Sequence, residues 1–378
     1  MPEMVDRKRI ALAIALCGLL GLPLATPTAS ATVTGWPGLF NTKTRATELA
    51  SEPYREIRSI CLAIAIDPTW QTLLPIAKLS ATEGYGSDQS AEDFSWAVMV
   101  LSGRVLAGDQ QARTLLEGLL LAWAKAGAFT ETEEVHDAYY ALKRQLLPLA
   151  VAYSILQEDL DPQEAAELRG WIGGLVVKID HVFDGDVDRN NHRILADSVL
   201  AVWGAIVGDH QMMDKGLARF DTVLAETRPD GTLELEARRG ARALWYQRQT
   251  LSSLTVLAEV GRGQGIDLYG RETTDKQSYA ALLGALINGI TSPVLVAVYA
   301  AENHIPGPEK DYRKLELGFL DTRGHGRHYM AWTEAAALSG RGLAFDRLRS
   351  LFDRRIRAER PLIDEFIGGN STCFWGQP

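Results

Sequence analysis

Cysteine is scarce: Cys17, Cys61 and Cys373 are the three in 378 residues, and no two form a C-x-x-C pair. Dithiol redox chemistry therefore has no motif to rest on. The chain also lacks G-x-S-x-G and P-loop sequences, which leaves acyl transfer at a nucleophile elbow and nucleotide hydrolysis without support. Basic charge is not in excess, since 39 Lys and Arg against 48 Asp and Glu give a formal net charge of -9. That balance argues against a nucleic-acid partner, which requires a clustered basic surface. It leaves room for an anionic ligand, because a group of arginines makes the field inside a cleft positive even in an acidic protein.

No membrane span is expected either. The N-terminal apolar run from Ile10 to Leu24 is about 15 residues, interrupted by Gly18, Gly21 and Pro23, and a span needs roughly 20. Arg7, Lys8 and Arg9 precede it, and Ala29-Ser30-Ala31 supplies an A-x-A cleavage pattern. Residues 1–31 thus read as an export signal, with a single domain over 32–378 that is periplasmic or secreted and monomeric. Cys17 falls inside the signal without the small-residue context of a lipoprotein site. In an oxidising compartment the two remaining cysteines, Cys61 and Cys373, are expected to pair and tie the ends of the fold together, with two buried free thiols as the alternative.

What is abundant is helical periodicity. With 46% hydrophobic and 23% charged residues, the chain has the makings of a globular core, and from about Ile57 onward apolar positions recur at helical spacing. Helices are predicted over roughly 57–66, 68–79, 92–107, 110–127, 136–157, 162–181, 192–208, 210–228, 241–262, 276–301, 328–340 and 344–358. Tight turns such as Gly208-Asp209 and Pro229-Asp230-Gly231 separate them. The fold class is all-α, and antiparallel helical hairpins joined this way close into an (α/α) toroid or barrel or stack into a solenoid. No fixed-period repeat is visible, which favours the toroid. Two irregular stretches, Ser80 to Asp88 and Asn303 to Arg327, have the composition of loops that cover a cleft or simply connect helices.

Two polar groupings carry chemistry. Asp186-Val187-Asp188-Arg189-Asn190-Asn191-His192 precedes a helical run, so it sits at a helix N-terminus, where exposed N–H groups and the helix dipole favour anions. The plainer reading is that Asp188, Asn190 or Asn191 is an N-cap. The second grouping runs from Glu234 to Arg248. At 3.6 residues per turn Arg239, Arg242 and Tyr246 fall on nearly one face and Arg248 on the far side. The alternative is a solvated basic face on which Tyr246 packs. Jointly, the groupings offer what β-elimination on a uronate requires. Asn, His and Arg neutralise the sugar carboxylate, which acidifies the neighbouring C5–H, and a tyrosine beside arginines shuttles the proton.

Asn190-Asn191-His192, followed by Leu233-x-x-Glu236-x-x-Arg239-x-x-Arg242-Ala243-Leu244-x-Tyr246, resembles the alginate lyase family, polysaccharide lyase family 5. The likeness is concentrated in residues 186 to 268, with a weaker echo at Tyr329-x-x-Trp332-x-Glu334. The resemblance implies an (α/α) toroid with a lidded, tunnel-like cleft that acts on an acidic polysaccharide, polymannuronate or a related polyuronate. Asn191, His192 and Arg239 would neutralise the carboxylate, and Tyr246 would serve as base and acid in a syn elimination, with His192 the base for an anti one. The chain departs from the family after the first motif, where Ile194 and Leu195 stand in place of an aromatic pair that flanks the sugar. Polyglucuronate is accordingly a competing substrate.

Asn190 and Arg242 are further candidate substrate-binding residues. Tyr139, Tyr140 and Lys143 share part of a helix face and could line sugar subsites, Tyr85 could close over one, and Trp245 could stack on a pyranose ring, although packing serves each equally well. His304, His325 and His328 with Glu302 and Asp321 match no strong zinc spacing, so no metal or other cofactor is expected. Two rival readings stand beside the lyase. One is a glycoside hydrolase on a similar toroid, with Asp188 and Glu236 as its carboxylates. The other is a non-catalytic exopolysaccharide-binding or export protein.

Overall fold

Polar residues ahead of the apolar runs cap the helices and set where the chain turns. Asp109 accepts from the Ala112 N–H at 3.1 Å, Asp161 from Gln163 at 2.8 Å and Asp209 from Met212 at 2.9 Å, each satisfying a donor that the helix itself leaves unmet. Gly208 between two such helices adopts φ 74°, a left-handed turn open to glycine. The computed structural model describes residues 35–80, 89–180, 189–302 and 314–378, all within the compact unit Thr34–Pro378.

In chain order the helices are α1 (Thr42–Ala50), α2 (Arg55–Cys61), α3 (Gln89–Leu106), α4 (Gln110–Lys125), α5 (His136–Leu156), α6 (Pro162–Ile179), α7 (Asn191–Val207), α8 (His210–Glu226), α9 (Glu234–Ala237), α10 (Ala243–Gly263), α11 (Tyr279–Thr291), α12 (Val294–Ala300), α13 (Thr333–Ser339) and α14 (Leu343–Leu351). The strands β1 (Ile363–Asp364) and β2 (Gly369–Asn370) and helix α15 (Ser371–Trp375) complete the chain. α3, α5, α7 and α10 pack side by side in succession, and α4, α6, α8 and α11 each pair with the inner helix they follow. Burial separates the layers. All of α10 but Arg262 is buried, and all of α7 but His192, Ala205 and Val207, whereas α8 buries one stripe built on Met213, Leu217, Phe220 and Leu224. This is the (α/α) toroid expected of the sequence.

Glycines let α7 and α8 meet backbone to backbone. A Cβ at Gly216 would lie 2.4 Å from the Asp197 carbonyl oxygen, and one at Gly204 would lie 2.5 Å from the Met213 nitrogen. Asp197 fastens the same interface from within, accepting from Arg193 at 2.7 Å and Arg219 at 2.6 Å. The antiparallel β1–β2 hairpin fills the space between α3, α5 and α10. Behind it, Cys373 in α15 is joined to Cys61 in α2 by a disulfide, 312 positions apart with Cα atoms 5.6 Å apart. Arg45 reinforces that junction by donating to the Cys373 and Gly376 carbonyls at 2.6 and 2.7 Å.

Several predicted helices differ from those observed, each for a local reason. The helix expected over 68–79 is a 3-10 turn, Pro68–Thr72, followed by extended chain. Pro75 disfavours helical backbone at Leu74, and the segment pairs with a loop instead, Phe129 and Glu131 donating to the Ile76 and Ala77 carbonyls at 2.8 and 3.0 Å. The helix expected over 276–301 is broken at Pro293 into α11 and α12, bent by 101°, because proline supplies no N–H and crowds the preceding turn. The 344–358 run leaves α-geometry after Leu351 for a π turn, the 328–340 run is helical only from Thr333, and α1 has no counterpart in the prediction.

Candidate active site

The Asn-Asn-His motif opens α7. Asn190 is its cap: its Oδ1 accepts from the His192 N–H at 2.9 Å, so this oxygen is engaged inside the protein rather than offered to a ligand. The next donor, the Asn191 N–H, is met from the other motif, with Glu236 Oε1 at 2.7 Å. Two segments 45 residues apart are thereby brought to one place. The Asn191 side chain is fully buried, yet neither its Oδ1 nor its Nδ2 has a hydrogen-bond partner among the described residues. Leaving such a group unmet costs about 1–3 kcal/mol, a cost that a bound ligand or water recovers.

His192 is half-buried and stacks face to face on Tyr140 of α5, centroids 4.0 Å apart and planes 9° from parallel. The Tyr140 hydroxyl in turn accepts from Gln249 Nε2 of α10 at 2.9 Å. Three inner helices therefore fix the plane of one imidazole. Burial, only partly offset by Arg144, pushes the Tyr140 phenol up, so it stays neutral and acts as a platform.

The second motif is not the continuous helix that its spacing predicts. α9 is a single turn, Arg239 leaves helical geometry at φ -112°, ψ 31°, and Gly240, at φ 59°, opens a 3-10 turn that runs through Arg242. Arg239, Arg242 and Tyr246 accordingly do not share a helix face. The break lays the Arg239 guanidinium over the Tyr246 ring, Cζ 3.9 Å from its centroid. It sends Arg242 elsewhere, to an ion pair with Glu316 at 3.0 Å. Both Arg239 and Tyr246 are buried, and the Arg239 Nε is another buried donor with no partner among the described residues. Glu236, the member of the second motif that bridges to the first, is 1% exposed, and burial lifts its carboxyl to about 7 against the opposing pull of Arg239 and the Asn191 N–H.

A buried charge network underlies Tyr140. Arg144 pairs with Glu365, Arg327 donates to Asp364 at 2.8 Å and meets Glu365 at 3.0 Å, and Arg248 lies 3.8 Å from Asp364. Burial raises the Asp364 carboxyl despite Arg327. For Glu365, burial is outweighed by Arg144 and Arg327, which hold it below the usual range. Carboxylates from the C-terminal hairpin thus brace α5 and α10 directly behind the histidine platform.

Residues 90–295, more than half of the chain, match the alginate lyase family. The chain belongs to this family. It is 29% identical over 166 residues to a protein named polysaccharide lyase from Stenotrophomonas maltophilia, covering 43% of this chain and 50% of that one. It is 28% identical over 195 residues to an alginate lyase of Azotobacter chroococcum, 49% and 51% of the two chains. The chain thus spans about half the length of the curated relatives it matches. Alginate lyase A1-III from Sphingomonas species A1 superposes with a TM-score of 0.71 at 20% identity, covering 94% of this chain and 100% of that one. A histidine-to-alanine variant of A1-III complexed with a tetrasaccharide superposes with a TM-score of 0.72 at 21% identity, over 90% and 95%.

Within this alginate lyase fold, the remaining candidates occupy varied positions. Tyr139 is in the core, its hydroxyl donating to the Lys178 carbonyl of α6 at 3.0 Å, and Lys143 is buried beside it on α5. Trp245 is buried against Phe319 and Tyr329, with Arg242 and Arg323 over its ring at 5.1 and 5.3 Å. Tyr85, Asp188 and His304 lie outside the described residues. The other groups weighed for a metal have separate partners: His325 meets Asp93 at 2.8 Å, His328 meets Glu359 at 3.4 Å, Glu302 meets Arg238 at 2.5 Å and Asp321 meets Arg355 at 2.8 Å. Arg248, expected on the far side of its helix, is fully buried and donates to the Tyr329 carbonyl at 3.3 Å. The Glu236 bridge and the Asp364–Glu365 bracing carried no local signal, since each joins residues far apart in the chain.

Proposed function

We propose that the protein is a polysaccharide lyase that cleaves a polyuronate chain by β-elimination. The observation that supports this reading is the Asn191 amide, without a partner among the described residues, on a backbone that Glu236 bridges to the segment carrying Arg239 and Tyr246. The names of the relatives, alginate lyase and polysaccharide lyase, support it. The sugar carboxylate is received by the Asn191 amide, His192 and Arg239, whose donors disperse the charge that builds as the C5–H bond breaks. Tyr246, entering the step as its phenolate, takes that proton and becomes the phenol. The C5–H electron pair becomes the C4–C5 double bond, the C4–O4 bond breaks, and O4 leaves with a proton returned from Tyr246, so the enzyme ends as it began. One tyrosine serving both steps suits substrates whose C5 hydrogen and O4 lie on one side, mannuronate and glucuronate, and His192 is the base for guluronate. With Ile194 and Leu195 both buried, we keep polyglucuronate beside polymannuronate as substrate.

Glu236, weighed as a hydrolase carboxylate, has one oxygen bonded to the Asn191 backbone, which ties it to structure. We also place the protein outside the cytoplasm, in the periplasm or secreted, a reading supported by the export-like residues 1–31 and the Cys61–Cys373 pair. Incubation with polymannuronate, polyguluronate, polyglucuronate and hyaluronan tests the activity. Growth of ultraviolet absorbance from a 4,5-unsaturated uronate end is the expected outcome. New reducing ends without that chromophore indicate a hydrolase, and polymer retention without cleavage indicates a binding protein.

A further inference from the structure

A buried carboxylate is costly unless it is paired, and Glu236 is 1% exposed with its second oxygen, Oε2, lacking a hydrogen-bond partner among the described residues. Its first oxygen receives the Asn191 N–H, a donor that the Asn190 cap leaves unmet because that cap serves His192. Its charge acts on Arg239, three residues downstream. Between them the backbone abandons the helix at Arg238–Arg239, so local helical geometry does not fix where the guanidinium sits. We propose that Glu236 is a positioning residue that sets the spacing between the Asn191–His192 half of the site and the Arg239–Tyr246 half, a role that rests on reading those halves as joint ligands of the sugar carboxylate.

The environment of Glu236 makes this hold sensitive to pH. Beside it stand Arg239, Glu226 at the end of α8 and the N-terminus of α7. Arg189, Glu234 and Arg238 line with it a cavity of about 260 Å³. Burial is the largest influence and keeps the acid protonated to about 7. Above that pH the carboxylate attracts both Arg239 and the α7 N-terminus; below it only the hydrogen bond to Asn191 remains.

Glu236→Gln and Glu236→Leu separate the two contributions. Gln keeps an amide oxygen for the Asn191 N–H, and Leu keeps neither hydrogen bond nor charge. Leu is expected to lower kcat by about 10- to 100-fold, the cost of a displacement on the order of an ångström. Gln is expected to restore most of kcat near pH 6 while abolishing the inflection in kcat/KM that is expected near pH 7 in the unsubstituted protein. Hydrogen exchange at the Asn191 amide reads the same hold without turnover: it is expected to speed at least tenfold in Glu236→Leu and to stay near the unsubstituted rate in Glu236→Gln. Unchanged exchange at that amide in Leu overturns the inference whatever the activity, as does a Leu variant that loses thermal stability but keeps kcat and the pH inflection. An unsubstituted protein that cleaves no polyuronate while its Asn191 amide responds as described defeats the lyase reading and leaves the spacer role standing.

Discussion

Glu236→Gln should change how stability depends on pH, by an amount the site itself sets. The carboxyl titrates at about 7 when folded against an ordinary value of 4.5, a difference of about 2.5 units, or about 3 kcal/mol at about 1.4 kcal/mol per unit. Its folded value is raised, so the native state holds a proton that the unfolded chain has lost between those two values. The stabilisation is complete below about 4.5 and disappears as pH climbs through 7. Glutamine carries no such titration. Plotted from pH 4 to pH 8, the unfolding free energy of the variant minus that of the unsubstituted protein should therefore rise by about 3 kcal/mol. Taking the difference cancels groups common to both, including Glu259 and Asp364, whose carboxyls burial also raises. Urea denaturation at half-unit pH steps supplies the curve. A difference flat to within about 0.5 kcal/mol, or one that falls with pH, would refute the assignment of Glu236 as a desolvated acid.

Arg239→Ala removes a charge-assisted donor worth about 2 kcal/mol and should lower kcat/KM by about 30-fold or more, through both rate and substrate affinity; steady-state kinetics on the preferred polyuronate checks it. Tyr140→Ala deletes the platform 4.0 Å from His192 and should cut kcat by about 10-fold while Tyr140→Phe, which keeps the stack, costs less than about threefold. Replacing Cys61 and Cys373 together by Ser opens a loop spanning 312 positions, which chain entropy values at about 5–6 kcal/mol. The denaturation midpoint should fall markedly, and reductant should no longer shift it.

Features decided within a few residues were legible in the sequence. The Asn-Asn-His motif marks the start of α7 because capping is local, and the hairpins α3–α4, α5–α6 and α7–α8 follow from apolar spacing closed by Gly and Asp turns. The Glu234–Arg248 stretch misled because Glu, Leu, Ala and Arg are all helix formers. Its break depends on Gly240 taking a positive φ and on Arg239 being drawn over Tyr246, a tertiary preference that overrides propensity. The Arg144–Glu365 pair joins residues 221 positions apart, and nothing in the local pattern of either announces the other. For the same reason Tyr139 and Tyr140, neighbours that spacing could not tell apart, divide between the core and the site.

Conversion of Tyr246 to Phe tests the central claim most directly, because it removes the proton-carrying oxygen and leaves the ring beneath Arg239. Unsaturated-uronate absorbance and polymer binding should be measured together on the variant and the unsubstituted protein. The account predicts that product formation drops by about a thousandfold or more while affinity changes less than about threefold. A variant that generates the chromophore at the unsubstituted rate would contradict it.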